Sequence, residues 1–85
     1  MMQNHTITIK FFSHLKAKAG VTSTTLDITP DTTIADLKKQ VITQYPALET
    51  HLNNILILID SKIAIDEDVI PAGCTVSFMT PIGGG

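Results

Sequence analysis

Five residues at the end of the sequence, Pro81-Ile82-Gly83-Gly84-Gly85, place its most unusual reactive group, the Gly85 carboxylate, behind a run with no side chains. Three glycines can be drawn straight and threaded into a channel too narrow for a residue with a Cβ. The residues after Pro81 reach roughly 14 Å when extended, enough to carry a carboxylate into another protein's active site. The alternative is a frayed end, since disorder collects at termini.

The other candidates for chemistry are weaker. His5, His14 and His51 stand far apart, with no carboxylate or cysteine at ligand spacing, so no metal site is expected. Cys74 opens a strand after a turn, with no helix N-terminus or neighbouring cation to lower its pKa, and reads as packing rather than as a nucleophile. Asp66-Glu67-Asp68 lacks the spaced oxygen ligands of a calcium loop and reads as a solvated turn. Gly83 to Gly85 is no phosphate loop, because neither a lysine nor a helix follows. Nothing within the body of the chain looks like an active site.

The elements that must carry the tail follow from periodicity. Thr6 to Phe12 alternates as a half-buried strand, with Ile7, Ile9 and Phe11 on one face and Thr8, Lys10 and Phe12 on the other. His14 to Ala19 is a short Lys- and Ala-rich helix stopped by Gly20, and Thr22 to Ile28 is a second strand. Thr33-Ile34-Ala35-Asp36 has capping-box spacing, and Ile34, Leu37, Val41, Ile42 and Tyr45 make one apolar stripe of a longer helix that Pro46 ends. Ala47 to Asn54 reads as a helical turn or loop.

Ile55 to Ile59 is apolar at every position, as in a strand covered on both faces or covered by a partner. A turn at Asp60-Ser61-Lys62 leads to a short strand, Ile63 to Ile65, and Pro71-Ala72-Gly73 turns into the last strand, Thr75 to Met79. There Val76 and Phe78 face inward, and Thr75, Ser77 and Met79 outward.

This order predicts an α+β domain: a mixed sheet of four to five strands with one long helix across one face. The helix stripe covers only that face, so the other meets water or a partner. Phe12 and Met79 interrupt the polar alternation of this open face beside the root of the tail, and Leu56 and Leu58 are candidates to join them in a docking patch. Isolated surface hydrophobes are also ordinary.

Composition excludes other classes. The 85 residues, 44% hydrophobic and 16% charged, suit one folded domain over residues 1–80 with a flexible tail at 81–85. Net charge is −2 and the six basic residues are scattered lysines, without the basic stripe and aromatic platforms of a nucleic-acid binder. No secretory signal or apolar membrane span is apparent, and the single cysteine suits a reducing compartment, so a cytoplasmic location is expected.

With these features assembled, the chain resembles the MoaD/ThiS-like family of ubiquitin-like β-grasp sulfur carriers, most closely its MoaD branch, the small subunits of molybdopterin synthase. The resemblance is carried by Lys10-Phe11-Phe12 with the short helix ending at Gly20, by the helix from Thr33 to Tyr45, and above all by Val76-Ser77-Phe78-Met79-Thr80-Pro81-Ile82-Gly83-Gly84-Gly85. Four positions depart from that branch: Thr80 replaces the first proline of a pair, Gly83 adds a third glycine, Asp60 takes a place often held by Asn, and Cys74 replaces an acidic residue.

The resemblance implies that an ATP-dependent, MoeB-like enzyme adenylates Gly85, that sulfur then converts it to a thiocarboxylate, and that a MoaE-like large subunit receives Gly83 and Gly84 in a channel. Sulfur would pass to a pterin precursor of the molybdenum cofactor, with no tightly bound cofactor on this chain, which would be a sulfur-donor subunit and not catalytic alone. It also implies that Phe12, Ile63, Met79, Pro81 and Ile82 contact the large subunit. Carriers for thiamine or cysteine synthesis, a ubiquitin-like modifier joined to lysines through Gly85, and an interaction module with an inert tail are the alternatives.

Overall fold

The computed structural model describes residues 5–12, 14–52 and 55–80. β1 (His5–Phe11) and β2 (Ser23–Ile28) are antiparallel neighbours joined through α1 (His14–Ala19). Gly20 ends α1 at φ +81°, and its N–H donates to the Lys16 carbonyl at 3.0 Å. Only a residue without a Cβ adopts this left-handed cap at no steric cost. α2 (Ile34–Gln44) and a 3-10 turn at Pro46–Leu48 follow, then β3 (Leu56–Ile59), β4 (Lys62–Ile63) and β5 (Thr75–Met79). The five strands form one mixed sheet in the order β2-β1-β5-β3-β4, with β1 and β5 parallel at its centre and the other pairs antiparallel.

The expected stripe of α2 is the one that packs. Ile34, Leu37 and Val41 are buried, and Ile42 and Tyr45 lie against the core from its edge. Ile7, Ile9 and Phe11 of β1 meet them with Ile57, Val76 and Phe78. The Phe11 ring stands edge-to-face against both Tyr45 and Phe78, with centroids 5.6 and 5.7 Å away, the arrangement that aligns ring edges with π faces. Leu15 fastens α1 to this core, and Leu48 and Leu52 close it beneath the 3-10 turn.

The N-terminus of α2 is capped more completely than its sequence suggests. The Thr33 hydroxyl accepts from the Asp36 N–H and the Asp36 carboxylate accepts from the Thr33 N–H, both at 3.3 Å. The remaining free N–H groups of the first turn, Ile34 and Ala35, donate to the carbonyls of Asp68 and Asp66 at 3.0 and 3.1 Å, so no donor there is left without an acceptor. Lys38 bonds the Asp66 carboxylate at 2.7 Å, an exposed pair that contributes at most about 1 kcal/mol.

The acidic turn is therefore a structural clamp on the helix, where only a solvated loop was expected. It also closes a turn after β4. The Asp68 carboxylate takes the Ile65 N–H at 2.9 Å and the Asp68 N–H returns to the Ile65 carbonyl at 3.0 Å. The strand expected over Ile63 to Ile65 is observed as the two-residue β4, Lys62–Ile63; Ala64 still donates its N–H to the Ile57 carbonyl at 2.8 Å, and the chain leaves the sheet at Ile65.

Candidate functional site

Backbone pairing brings the expected docking residues together on the uncovered face of the sheet. Leu56 pairs with Met79 across β3 and β5. Phe11 pairs with Phe78 across β1 and β5, and the Phe12 N–H extends that ladder to the Phe78 carbonyl at 3.1 Å. Phe12, Met79 and Leu56 consequently stand in one row where β5 ends. The next row toward β4 contains Ser77, Leu58 and Ile63, since Leu58 pairs with both. At the ordinary spacing of neighbouring strands, the distance from β1 to β4 is about 14 Å, the width of a small protein-binding patch.

Exposure sorts these side chains. Ile63 is 68% exposed; Phe12 and Leu56 are exposed, and Leu58 and Met79 half-buried. Ile57, by contrast, is buried against the helix side. The all-apolar β3 is therefore covered on one face only, with Leu56 exposed and Leu58 half-buried on the other.

Two further apolar side chains escaped the sequence reading. Ile65 and Val69 are 60% and 54% exposed on the loop after β4. Val69 lines a groove of about 450 Å³ with Ile59, Ile63, Ala64 and Pro71. Their signal was the placement of large hydrophobes on both sides of Asp66-Glu67-Asp68, where a solvated loop has no need of them.

Gly83, Gly84, Gly85, Pro81 and Ile82 lie outside the described residues; β5 delivers the chain to them through Met79 and Thr80. Asp60 adopts φ +56° at the β3–β4 turn, a conformation that Asp and Asn tolerate better than most residues. Its N–H donates to the Thr75 carbonyl at 2.7 Å and its carboxylate accepts the Thr75 N–H at 3.1 Å. An acceptor oxygen and a left-handed backbone are what Asp60 supplies at this turn.

Cys74 is buried, and burial together with the Asp60 carboxylate pushes its thiol pKa up. Both effects disfavour thiolate, so the packing role is the one its surroundings support. A linkage consequence follows. Above about pH 8.5 the unfolded thiol ionises while the folded thiol holds its proton, so stability falls as pH rises. Urea midpoints between about pH 8.5 and 9.5 are expected to fall less steeply in Cys74→Ala, which removes the titrating group. An equal slope in both proteins would show that the folded and unfolded thiols titrate together.

Among the described residues no cluster of three or more His, Cys, Asp or Glu side chains is arranged to hold a metal. His14 and His51 do approach, with ring centroids 6.4 Å apart where α1 meets the 3-10 turn, although the sequence separates them widely. No described helix is long and apolar enough to cross a membrane.

The ThiS family model matches residues 9–85, from β1 to the final glycine. The chain belongs to the ThiS family. No curated protein sequence matches this ThiS-family chain. Its solved structural neighbours share the β-grasp, ubiquitin-like fold. Small archaeal modifier protein 1 of Haloferax volcanii has a TM-score of 0.85 and 22% identity, with 92% of this chain and 99% of that chain covered. A Pyrococcus furiosus protein assigned as molybdopterin converting factor subunit 1 has a TM-score of 0.83 and 13% identity over 92% of this chain and 99% of that one. Urm1 from Trypanosoma brucei has a TM-score of 0.71 and 26% identity, with both chains fully covered.

Proposed function

We propose that this ThiS-family protein is the sulfur-carrier subunit of a molybdopterin synthase and acts through a thiocarboxylate on Gly85. The observation that carries the reading is the apolar row Phe12–Met79–Leu56, with Ile63 beyond it, on the open sheet face at the root of the glycine tail. A partner gripping that row holds the body of the carrier while the tail enters its channel. Residues 1–80 serve as the docking domain and 81–85 as the working arm.

The chemistry balances with borrowed enzymes. An adenylating partner joins the Gly85 carboxylate to the α-phosphate of ATP and releases pyrophosphate. The terminal sulfur of a persulfide attacks the acyl carbon and displaces AMP. A second thiol then cleaves the S–S bond that the persulfide brought into this acyl disulfide, leaving Gly85 as thiocarboxylate and the donor as disulfide. Sulfur is more polarisable and less tightly solvated than oxygen, so the thiocarboxylate is the better nucleophile toward a pterin precursor. Each transfer forms a C–S bond and breaks a C–O bond of the precursor. Water then hydrolyses the resulting thioester to return the Gly85 carboxylate and leave the thiol on the pterin, and two rounds supply a dithiolene.

A large subunit charged with the thiocarboxylated protein and a cyclic pterin precursor is expected to form the dithiolene pterin. Sulfur transfer to a thiazole precursor with no pterin product would move the protein to the thiamine branch of its family. The names of the small archaeal modifiers among its neighbours favour a second reading, conjugation of Gly85 to lysines. Lysine-linked adducts without sulfur transfer would select it.

A further inference from the structure

The fold separates charges that the sequence scatters. β1 and β5 run parallel, and their ends at Phe11 and Phe78 lie side by side where the chain leaves for the tail. α1 follows β1 directly at this end, with the Leu15 N–H bonded to the Phe12 carbonyl at 3.1 Å. Lys10, Lys16 and Lys18 are therefore gathered at the tail pole, all exposed. Lys10 and Lys16 line one depression with Phe12, Thr22 and Ser23.

The acids gather at the opposite pole. Asp60 bonds Thr75 at the start of β5, and Asp27 accepts from the Thr6 hydroxyl at the start of β1. Asp31 bonds Thr29 after β2, Asp36 caps α2, and Asp66 and Asp68 clamp the same helix end with Glu67 exposed between them. Glu49, after the 3-10 turn that packs on α1, is the one acid near the tail pole. Lys38, paired with Asp66, and Lys62, opposite Ile59 beside Asp60, also lie at the acidic pole, where seven of the eight acids outweigh them. A chain of net charge −2 thus presents a basic end around its tail and a net acidic end away from it.

From this polarity we infer that Lys10, Lys16 and Lys18 form an electrostatic guide that brings the carrier tail-first to an acidic rim around the tail channel of its adenylating enzyme. The inference rests on the sulfur-carrier reading above and adds the charge of the partner's surface. A carrier must leave and return in every sulfur cycle, so its encounter rate matters as well as its affinity. Opposed charges accelerate and orient such encounters, whereas the apolar row of Phe12, Met79 and Leu56 acts after contact, through dissociation. The lysines also offset the repulsion between the anionic tail tip and that acidic rim.

The test measures association and dissociation rates of the full chain with its adenylating enzyme as salt is raised. At low salt, Lys10→Glu/Lys16→Glu is expected to associate about tenfold more slowly than wild type. The two should converge at high salt, where the charges are screened beyond a few ångströms. Lys39→Glu, an equal charge change on an exposed position of α2, is expected to stay within about twofold of wild type because it lies off the guiding pole. Phe12→Ser is expected to raise the dissociation rate and leave the salt dependence of association intact. Association that is salt-independent in wild type, or equally slowed by Lys39→Glu, overturns the guide. If the wild-type protein associates but is never adenylated, the sulfur-carrier reading fails with it; if it is adenylated normally while the lysine variant associates at the wild-type rate, the guide alone fails.

Discussion

Deleting Gly85 is expected to abolish sulfur transfer and leave folding stability within about 0.5 kcal/mol of wild type, as for changes away from packed positions. The new terminal carboxylate, on Gly84, falls about 3.3–3.6 Å short of the position the full chain reaches. A misplacement of about 1 Å costs roughly 100-fold in a positioned reaction, so a whole residue removes the reaction from reach. Stability is spared because every residue of the described core lies between Ile7 and Phe78. Pyrophosphate release with the adenylating enzyme and a urea titration check the two halves separately. Full adenylation of the shortened chain would refute the threading of Gly83 and Gly84; loss of folding would show that the tail packs on the body.

Phe78→Ala should have the opposite signature. Phe78 is fully buried on β5, between β1 and β3, with its ring edge-to-face to Phe11. Truncating such an aromatic costs about 3–5 kcal/mol through lost burial and the cavity left behind. Small domains hold only about 5–15 kcal/mol in total. With about 4–8 °C lost per kcal/mol in a domain of this size, Tm should fall by about 12 °C or more. Ile63→Ala, at 68% exposure, is expected to stay within about 0.5 kcal/mol although it lies in the proposed docking patch. Thermal melts of the two variants separate the core face of the sheet from its binding face. Equal losses would mean that the open face is not open.

That contrast between the faces was legible because β1 and β5 alternate strictly. Ile7, Ile9, Phe11, Val76 and Phe78 turned inward as read, and Phe12 and Met79 outward. The capping box at Thr33 and the stop at Pro46 were equally local, each fixed by the backbone groups of a single turn. The placement of β5 between β1 and β3 was not, since pairing between distant segments leaves no mark in either one. β4 came out as Lys62–Ile63 rather than Ile63 to Ile65, because the chain closes into a turn at Ile65, whose N–H faces away from β3 and bonds the Asp68 carboxylate. The segment from Ala47 to Asn54 reads as a helical turn or loop and does contain the end of a 3-10 turn, but burial of Leu48 and Leu52, four residues apart, also makes it part of the core. The charge separation was invisible for the same reason as the strand order. Lys10 and Lys16 become neighbours around Phe12, and Asp60 joins Asp66 and Asp68 at the far pole, only once the sheet is assembled.

The proposed function turns on one atom, an oxygen of the Gly85 carboxylate to be exchanged for sulfur. Incubating the full chain with its adenylating enzyme, ATP, a persulfide donor and a thiol, and then measuring intact mass with fragmentation of the C-terminus, reads that exchange directly. The predicted result is a species in which one oxygen is replaced by sulfur, with the added mass confined to Gly85 and absent when ATP is withheld. An unchanged mass despite ATP turnover, or sulfur found on Cys74 instead, would contradict it.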